Sequence, residues 1–168
     1  LDVLSNYTSY KRYFNIKMNG QDYEVPSGRA KRKIIREVAL ENQLNIEQTV
    51  GIILDHFFDK VIDQINGKSR AMIVVPYRKD CVIYFKEVNR QLQERSSDVN
   101  CLVGFSGDVT LNGDKFTEKG LNASIGFNGE VPIGLKYPKN RLVVVANKFQ
   151  TGFDEPRLQT MYINKPIK

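Results

Sequence analysis

The sequence predicts an α/β protein with a parallel sheet, and two features of the chain support this prediction. Short, unbroken apolar runs occur at residues 71–75, 101–105 and 142–146, as expected for strands that are covered on both faces. Between the first two runs, the apolar residues of 78–94 recur at helical spacing. A strand–helix–strand order at this spacing implies right-handed crossovers, and therefore parallel strands.

The amino-terminal part of the chain predicts a hairpin followed by a short helix. Residues 14–18 and 21–25 alternate between apolar and polar side chains, and they flank the dipeptide Asn19-Gly20. Asn-Gly supplies the positive φ angles of a two-residue hairpin turn. Residues 30–41 then predict a helix that is basic at its start.

A longer helix is predicted over residues 45–66, where apolar side chains recur at helical spacing. Asn45 is expected to cap it, because Gln48 stands three residues on, as in a capping box. Gly67 is expected to end it, since glycine suits the left-handed position that follows a helix.

The rest of the chain completes the sheet around one long insertion. Residues 108–135 contain many glycines and no clear periodicity, so we interpret them as an insertion that is partly a hairpin. Residues 141–146 and 160–163 are the remaining predicted strands. The domain prediction is an amino-terminal hairpin and helical segment over 1–67, leading into the main domain over 68–168.

Composition narrows the class of protein. The chain has 168 residues, a net charge of +6 and an isoelectric point near 9.3, which suits a nucleic-acid or phosphate partner or a generic solubilising charge. No apolar run approaches the roughly 18 residues that span a bilayer, so no membrane is expected. Without an initiator Met or a signal peptide, the chain is expected to be a piece of a longer cytoplasmic protein. Cys81 and Cys101 are expected to be buried free thiols, and the single His56 does not supply a zinc site.

A polar loop over residues 147–156 follows the apolar strand 142–146. Open α/β sheets bind ligands at the carboxyl ends of their strands. Gly152 would let a ligand approach the backbone closely, and Asp154 could accept hydrogen bonds from a ribose. The residues of this loop that offer donors to phosphate are Asn147, Lys148 and Thr151. The alternative is a plain connecting turn that is closed by Pro156.

Two shorter segments occupy equivalent places in the predicted sheet. Ser106 and Gly107 follow the strand 101–105, and Arg78 follows the strand 71–75. Each segment alone is more typical of a turn, but parallel topology places the three loops side by side as a possible phosphate site. The chain has no phosphate-binding loop motif and no Asp-Glu pair after an apolar strand. It is therefore not expected to hydrolyse a nucleotide alone.

Several motifs resemble the R (restriction and translocation) subunit of type I restriction enzymes. The specific stretch is 141–156, RLVVVANKFQTGFDEP, with TMYINKP following at 160–166. GKSRAMIVV at 67–75, followed by Arg78, resembles the first strand of that family's second motor domain. Further supporting segments are residues 2–4, 7–8, Tyr10, 102–107 and 116–118.

This resemblance implies a superfamily 2 translocase built from two RecA-like domains, with ATP and Mg between them. The parent would pump double-stranded DNA, cut it with a separate nuclease domain, and assemble with methylation and specificity subunits. The chain would be the second RecA-like domain, a three-layer parallel sheet, and is expected to hold no nucleotide alone. Its loop at 147–154 resembles helicase motif V.

The resemblance also implies roles for individual residues. Asn147, Lys148 and Thr151 would face DNA, and Gly152 and Asp154 would face ATP. The weaker candidates for the DNA backbone are Ser106, Gly107 and Arg78. Two alternatives stay open: the motor domain of another superfamily 2 DNA helicase, and a non-catalytic DNA-binding α/β module.

Overall fold

The computed structural model describes residues 43–149 and 153–165. The chain separates into two compact units, Leu1–Asn42 and Gln43–Lys168, and all the described residues belong to the second. The predicted hairpin over 14–25 and the predicted helix over 30–41 lie outside the described residues, as do Thr151 and Gly152.

The second unit alternates helices and strands. Its helices are α1 (Gln43–His56), a π-helical segment (Phe57–Val61), α2 (Gln64–Gly67), α3 (Arg78–Glu94), α4 (Glu118–Ser124) and α5 (Val131–Gly134). Its strands are β1 (Arg70–Val74), β2 (Asn100–Gly104), β3 (Asp108–Leu111), β4 (Asp114–Thr117), β5 (Asn140–Val145) and β6 (Leu158–Ile163).

The long helix predicted over 45–66 is instead a broken helical segment. Asn45 lies inside α1, so the prediction that it caps the helix is wrong. The α-helical part ends at His56 and passes into the π-helical segment. The predicted stop at Gly67 is confirmed, because Gly67 has a φ of 70° and ends α2 in the left-handed region.

The main sheet contains four strands in the order β2-β5-β1-β6, and every neighbouring pair is parallel. This confirms the predicted α/β class with a parallel sheet. Helix α3 connects β1 to β2 and has the predicted bounds, Arg78–Glu94. Since β5 lies between β1 and β2, their crossover passes over one strand position.

The insertion between β2 and β5 begins with the predicted hairpin. Strands β3 and β4 pair antiparallel, and their turn holds Asn112 and Gly113 at φ angles of 53° and 89°. The remainder of the insertion forms α4 and α5, two short helices that the sequence pattern does not predict.

Apolar side chains cover the sheet on both faces. On one face, α1 and α3 contribute Val50, Leu54 and Phe85 to a core that includes Ile73 and Val144. The opposite face forms a smaller core of Met72, Val143, Val131 and Leu135, with Phe149 and Phe153 packed against it. Alternate residues of each strand therefore enter different cores, which is why the strands read as unbroken apolar runs.

A buried arginine lies at the amino-terminal edge of the sheet. Arg70 is 2% exposed and donates to the carbonyl oxygens of Leu135 at 3.0 Å and Lys68 at 2.6 Å. Burial, with repulsion from Arg141 and Arg157, lowers the pKa of Arg70 to about 10, so it remains charged at neutral pH. Backbone carbonyl dipoles thus stabilise a cation that apolar packing alone would exclude.

Candidate functional site

The structure brings the loops after β1 and β2 together at the carboxyl edge of the sheet. The Arg78 guanidinium donates to the carbonyl oxygen of Ser106 at 2.9 Å. Gly107 follows with a φ of 73°, and a Cβ atom at this position would stand 2.9 Å from Arg78 Nη1. Arg78, Ser106 and Gly107 are therefore adjacent, and the positive φ angle at position 107 favours glycine there.

A glutamate of the insertion links the loop after β5 to the end of β2. Both carboxylate oxygens of Glu118 accept hydrogen bonds from the Lys148 ammonium group, at 2.7 and 3.0 Å. The Oε2 atom of Glu118 also accepts the backbone N–H of Phe105 at 2.8 Å. Lys148 further lies 4.9 Å above the ring of Phe149. Lys148, predicted as a DNA contact, is thus held in an ion pair here.

Sequence reasoning did not select Glu118 as a site residue. Its place in the fold is set locally by Thr117, whose hydroxyl accepts the N–H of Gly120 at 3.0 Å and caps α4. The one sequence signal near Glu118 is the dipeptide Thr117-Glu118, which is typical of the start of a helix. It indicates a helix start, but says nothing about a lysine that lies 30 positions away.

The segment between β5 and β6 joins opposite edges of the sheet. Because these strands run in the same direction, the chain must return from the carboxyl edge to the amino edge. Asn147 is exposed at the carboxyl edge with a φ of 53°, whereas the Arg157 carbonyl oxygen accepts the N–H of Arg70 at the start of β1, at 2.6 Å. The described parts of this segment, which we call the strap, therefore reach both edges of the sheet, and Phe149 and Phe153 of the strap pack against the smaller core.

Asp154, the carboxylate assigned to a nucleotide, is exposed on this strap. It lies between Phe153, whose ring centroid is 5.0 Å from that of Phe149, and the buried Glu155. Gly152 and Thr151 fall in the interval that the structure does not describe. Of the five residues expected in motif V, the structure therefore places Asn147, Lys148 and Asp154.

The charges of Arg78 and Lys148 differ in their surroundings. Lys148 is 31% exposed and its charge is balanced by Glu118, which is 19% exposed. Arg78 is exposed, and no carboxylate within 43–149 or 153–165 forms an ion pair with it. At this edge, the described residues thus offer one cation without a balancing anion and one that is already paired.

His56 and the two cysteines take part in packing between elements. His56 Nδ1 lies 2.9 Å from the Tyr162 hydroxyl and joins α1 to β6. Cys81 and Cys101 are free and buried, as predicted, and burial raises the pKa of both thiols.

Over the described ranges, no cluster of His, Cys, Asp or Glu has an arrangement that could hold a metal ion. No helix in the same ranges is both long enough and apolar enough to cross a membrane.

An open pocket of about 560 Å³ lies near the starts of β2 and β5, and thus at the opposite edge of the sheet. Its lining includes Phe127 and Tyr137, whose rings meet edge to face at 5.9 Å. The Asn100 and Asn140 amides also line it and bond to each other at 3.3 Å. None of the predicted site residues lines this pocket.

Comparison with known proteins links the chain to restriction enzymes. No protein-family model matches it. The chain is 24% identical over 154 residues to a protein of Methanocaldococcus jannaschii named "Putative type I restriction enzyme MjaVIIIP endonuclease subunit". The match covers 83% of this chain and 15% of that protein, so the chain spans only a small part of the relative's length. This similarity supports a relationship between the chain and type I restriction enzymes.

Proposed function

We propose that the chain is part of the ATP-dependent DNA translocation motor of a type I restriction endonuclease subunit, and that it forms the second RecA-like domain of that motor. Two findings support this proposal. The parallel sheet carries charged and polar loops together at its carboxyl edge, where such sheets bind ligands. The relative from M. jannaschii is named as an endonuclease subunit of a type I restriction enzyme.

The contact between Arg78 and Ser106 is the single observation that carries the DNA-binding part of the proposal. It places an exposed guanidinium beside the Gly107 backbone. Arginine is well suited to phosphate, because it is permanently charged and presents several donors in one plane. In this proposal the DNA backbone contacts Arg78, Ser106 and Gly107, and continues to Asn147, Lys148 and Thr151.

We propose ATP and Mg as ligands of the full-length parent protein, and not of this chain alone. Asp154 is the one described residue proposed for the nucleotide side, and Gly152, proposed with it, lies outside the described residues. A single exposed carboxylate provides no hydrogen-bond donor for a triphosphate, and it provides only part of the oxygen ligand set of a magnesium ion. The described residues therefore do not make a nucleotide site by themselves, and the first RecA-like domain of the same protein would have to supply most of it. The methylation and specificity subunits, and a cytoplasmic location, are likewise proposed.

Replacement of Arg78 by alanine in the full-length protein tests the DNA-binding role. We expect weaker binding to duplex DNA of any sequence, since an interaction with phosphate carries no base information. The slope of log K against log salt should fall in magnitude by about 0.9, because one cation fewer neutralises the DNA backbone. DNA-stimulated ATP hydrolysis and translocation should fall with it.

The matched control is Arg95→Ala. Arg78 begins α3, whereas Arg95 directly follows the carboxyl end of the same helix. Arg95 pairs with Asp55 at 2.7 Å. DNA binding by this variant should equal that of the wild type. If Arg78→Ala also left the salt slope and the ATPase unchanged, the assigned role would be wrong. Binding of duplex DNA by a full-length protein without ATPase would favour the non-catalytic DNA-binding module.

A further inference from the structure

The ion pair between Lys148 and Glu118 affects anion binding at the carboxyl edge. Both carboxylate oxygens of Glu118 accept the ammonium, at 2.7 and 3.0 Å, so the pair has no net charge. We propose that Glu118 is a gate: it restrains Lys148 and keeps the lysine from binding a DNA phosphate until the phosphate replaces Glu118 as the partner of the ammonium group. The identity of the anion rests on the proposed function.

The carboxylate is the fixed member of the pair. Glu118 begins α4, directly after the capping residue Thr117, and its Oε2 accepts the N–H of Phe105 at 2.8 Å. If Lys148 leaves, Glu118 keeps this backbone bond and its place in the helix. The Lys148 ammonium group instead ends a flexible side chain on a segment without regular structure. Among the described residues, its release breaks the ion pair and the interaction with Phe149. Displacement therefore moves the lysine.

A phosphate at Lys148 must overcome two opposing effects. It has to replace the hydrogen bonds from Lys148 to Glu118, and it approaches a carboxylate of the same sign that remains near by. Since the pair is partly buried, solvent screens this repulsion less than at an open surface. Arg78 has no such partner among the described residues, so it offers the first phosphate contact and Lys148 a second, conditional one.

The variant Glu118→Gln removes the charge and keeps the shape and the oxygen that accepts from Phe105. In the full-length protein we expect tighter binding to a random-sequence DNA duplex at low salt, by roughly three- to tenfold. The slope of log K against log salt should increase in magnitude by about 0.9, as one more cation becomes available. The double variant Glu118→Gln/Lys148→Ala should show neither effect.

A chemical readout tests the restraint without DNA. Acylation of Lys148 by an amine-reactive ester, followed by mass spectrometry, should be slow in the wild type compared with the exposed Lys136. In Glu118→Gln the rate at Lys148 should approach that at Lys136. The control is Glu94→Gln, an exposed glutamate paired with Arg90 at 2.5 Å, which should alter neither measurement.

The outcomes separate the two proposals. Equal DNA affinity and equal salt slopes for the wild type and Glu118→Gln would overturn the gate and leave the proposed function standing. Weaker DNA binding by Glu118→Gln would also overturn it, because Glu118 would then support the site. Absence of DNA binding by both proteins would overturn the proposed function together with the gate.

Discussion

The side-chain amide of Asn122 pairs with both backbone groups of Val103. Its Oδ1 accepts the Val103 N–H at 2.9 Å, and its Nδ2 donates to the Val103 carbonyl at 3.0 Å. Asn89 makes the same pair of bonds with Cys101, at 3.1 and 3.0 Å. Strand β2 is an edge of the main sheet, so these amides occupy positions where another strand would otherwise bond.

Replacement of Asn122 by alanine should strongly destabilise the chain. Asn122 is fully buried, and its removal leaves a buried N–H and a buried carbonyl unpaired. The expected decrease in unfolding free energy is about 3 kcal/mol, at roughly 1–3 kcal/mol for each unsatisfied group. Urea unfolding measures it. Asn128→Ala, at an exposed position of the same insertion, should change the free energy by less than about 0.5 kcal/mol. Equal stability of the two variants would show that the edge of β2 does not need the amide.

The variant Glu155→Gln should destabilise the amino-terminal edge of the sheet. Glu155 binds Arg157 Nε at 2.7 Å and lies within the electrostatic influence of Arg70. Burial alone would raise the pKa of the Glu155 carboxyl, but the hydrogen bonds and charge of Arg157, with Arg70, hold it below its usual value. Removal of this carboxylate leaves partly buried guanidiniums unbalanced, at a cost of about 3 kcal/mol.

The control for Glu155→Gln is the same exchange at Glu94, a surface pair that should cost no more than about 1 kcal/mol. Thermal or urea unfolding of both variants makes the comparison. If the unfolding midpoint of Glu155→Gln were no lower than that of Glu94→Gln, backbone carbonyl oxygens alone would be sufficient to stabilise Arg70 and Arg157.

Acid should destabilise the protein in part through Glu87. The hydrogen bond from Arg90 holds the pKa of the buried Glu87 carboxyl below its usual value; burial opposes this shift, and Gln91 assists it. Because the folded pKa is the lower one, the stabilisation is present above the unfolded pKa and is lost as pH falls through the folded value. Between about pH 6 and pH 3, Glu87→Gln should therefore lose less unfolding free energy than the wild type. Parallel curves for the two proteins would exclude Glu87 as a contributor.

The two thiols should be unreactive in the folded protein. Cys81 and Cys101 are both 0% exposed, and burial raises the pKa of each thiol, so little thiolate forms at neutral pH. A disulfide reagent such as dithionitrobenzoate should label neither cysteine at an appreciable rate, and should label both once urea unfolds the chain. Rapid labelling without urea would contradict the packing of α3 against β2.

Features that depend on neighbouring residues were predicted from the sequence, whereas features that depend on residues far apart in the chain were not. The strands and α3 were predicted because burial on both faces, or on one stripe, leaves a pattern within a few neighbouring residues. The predicted cap at Asn45 was wrong, since the same residue types occur inside helices and local pattern does not fix a helix start. Glu118 and Asn122 were missed because their partners lie on other elements, 13 and 19 positions away.

The sequence by itself determined the α/β class, the parallel direction of the strands, the buried thiols and the proximity of the loops bearing Arg78 and Ser106. Parallel topology alone places those loops at one edge. Only the tertiary structure decided that Lys148 is paired with Glu118, and that the Glu155 carboxylate lies near Arg70 at the start of β1. Pairing depends on distances of a few ångströms between residues far apart in the chain, and neither residue type nor spacing encodes those distances.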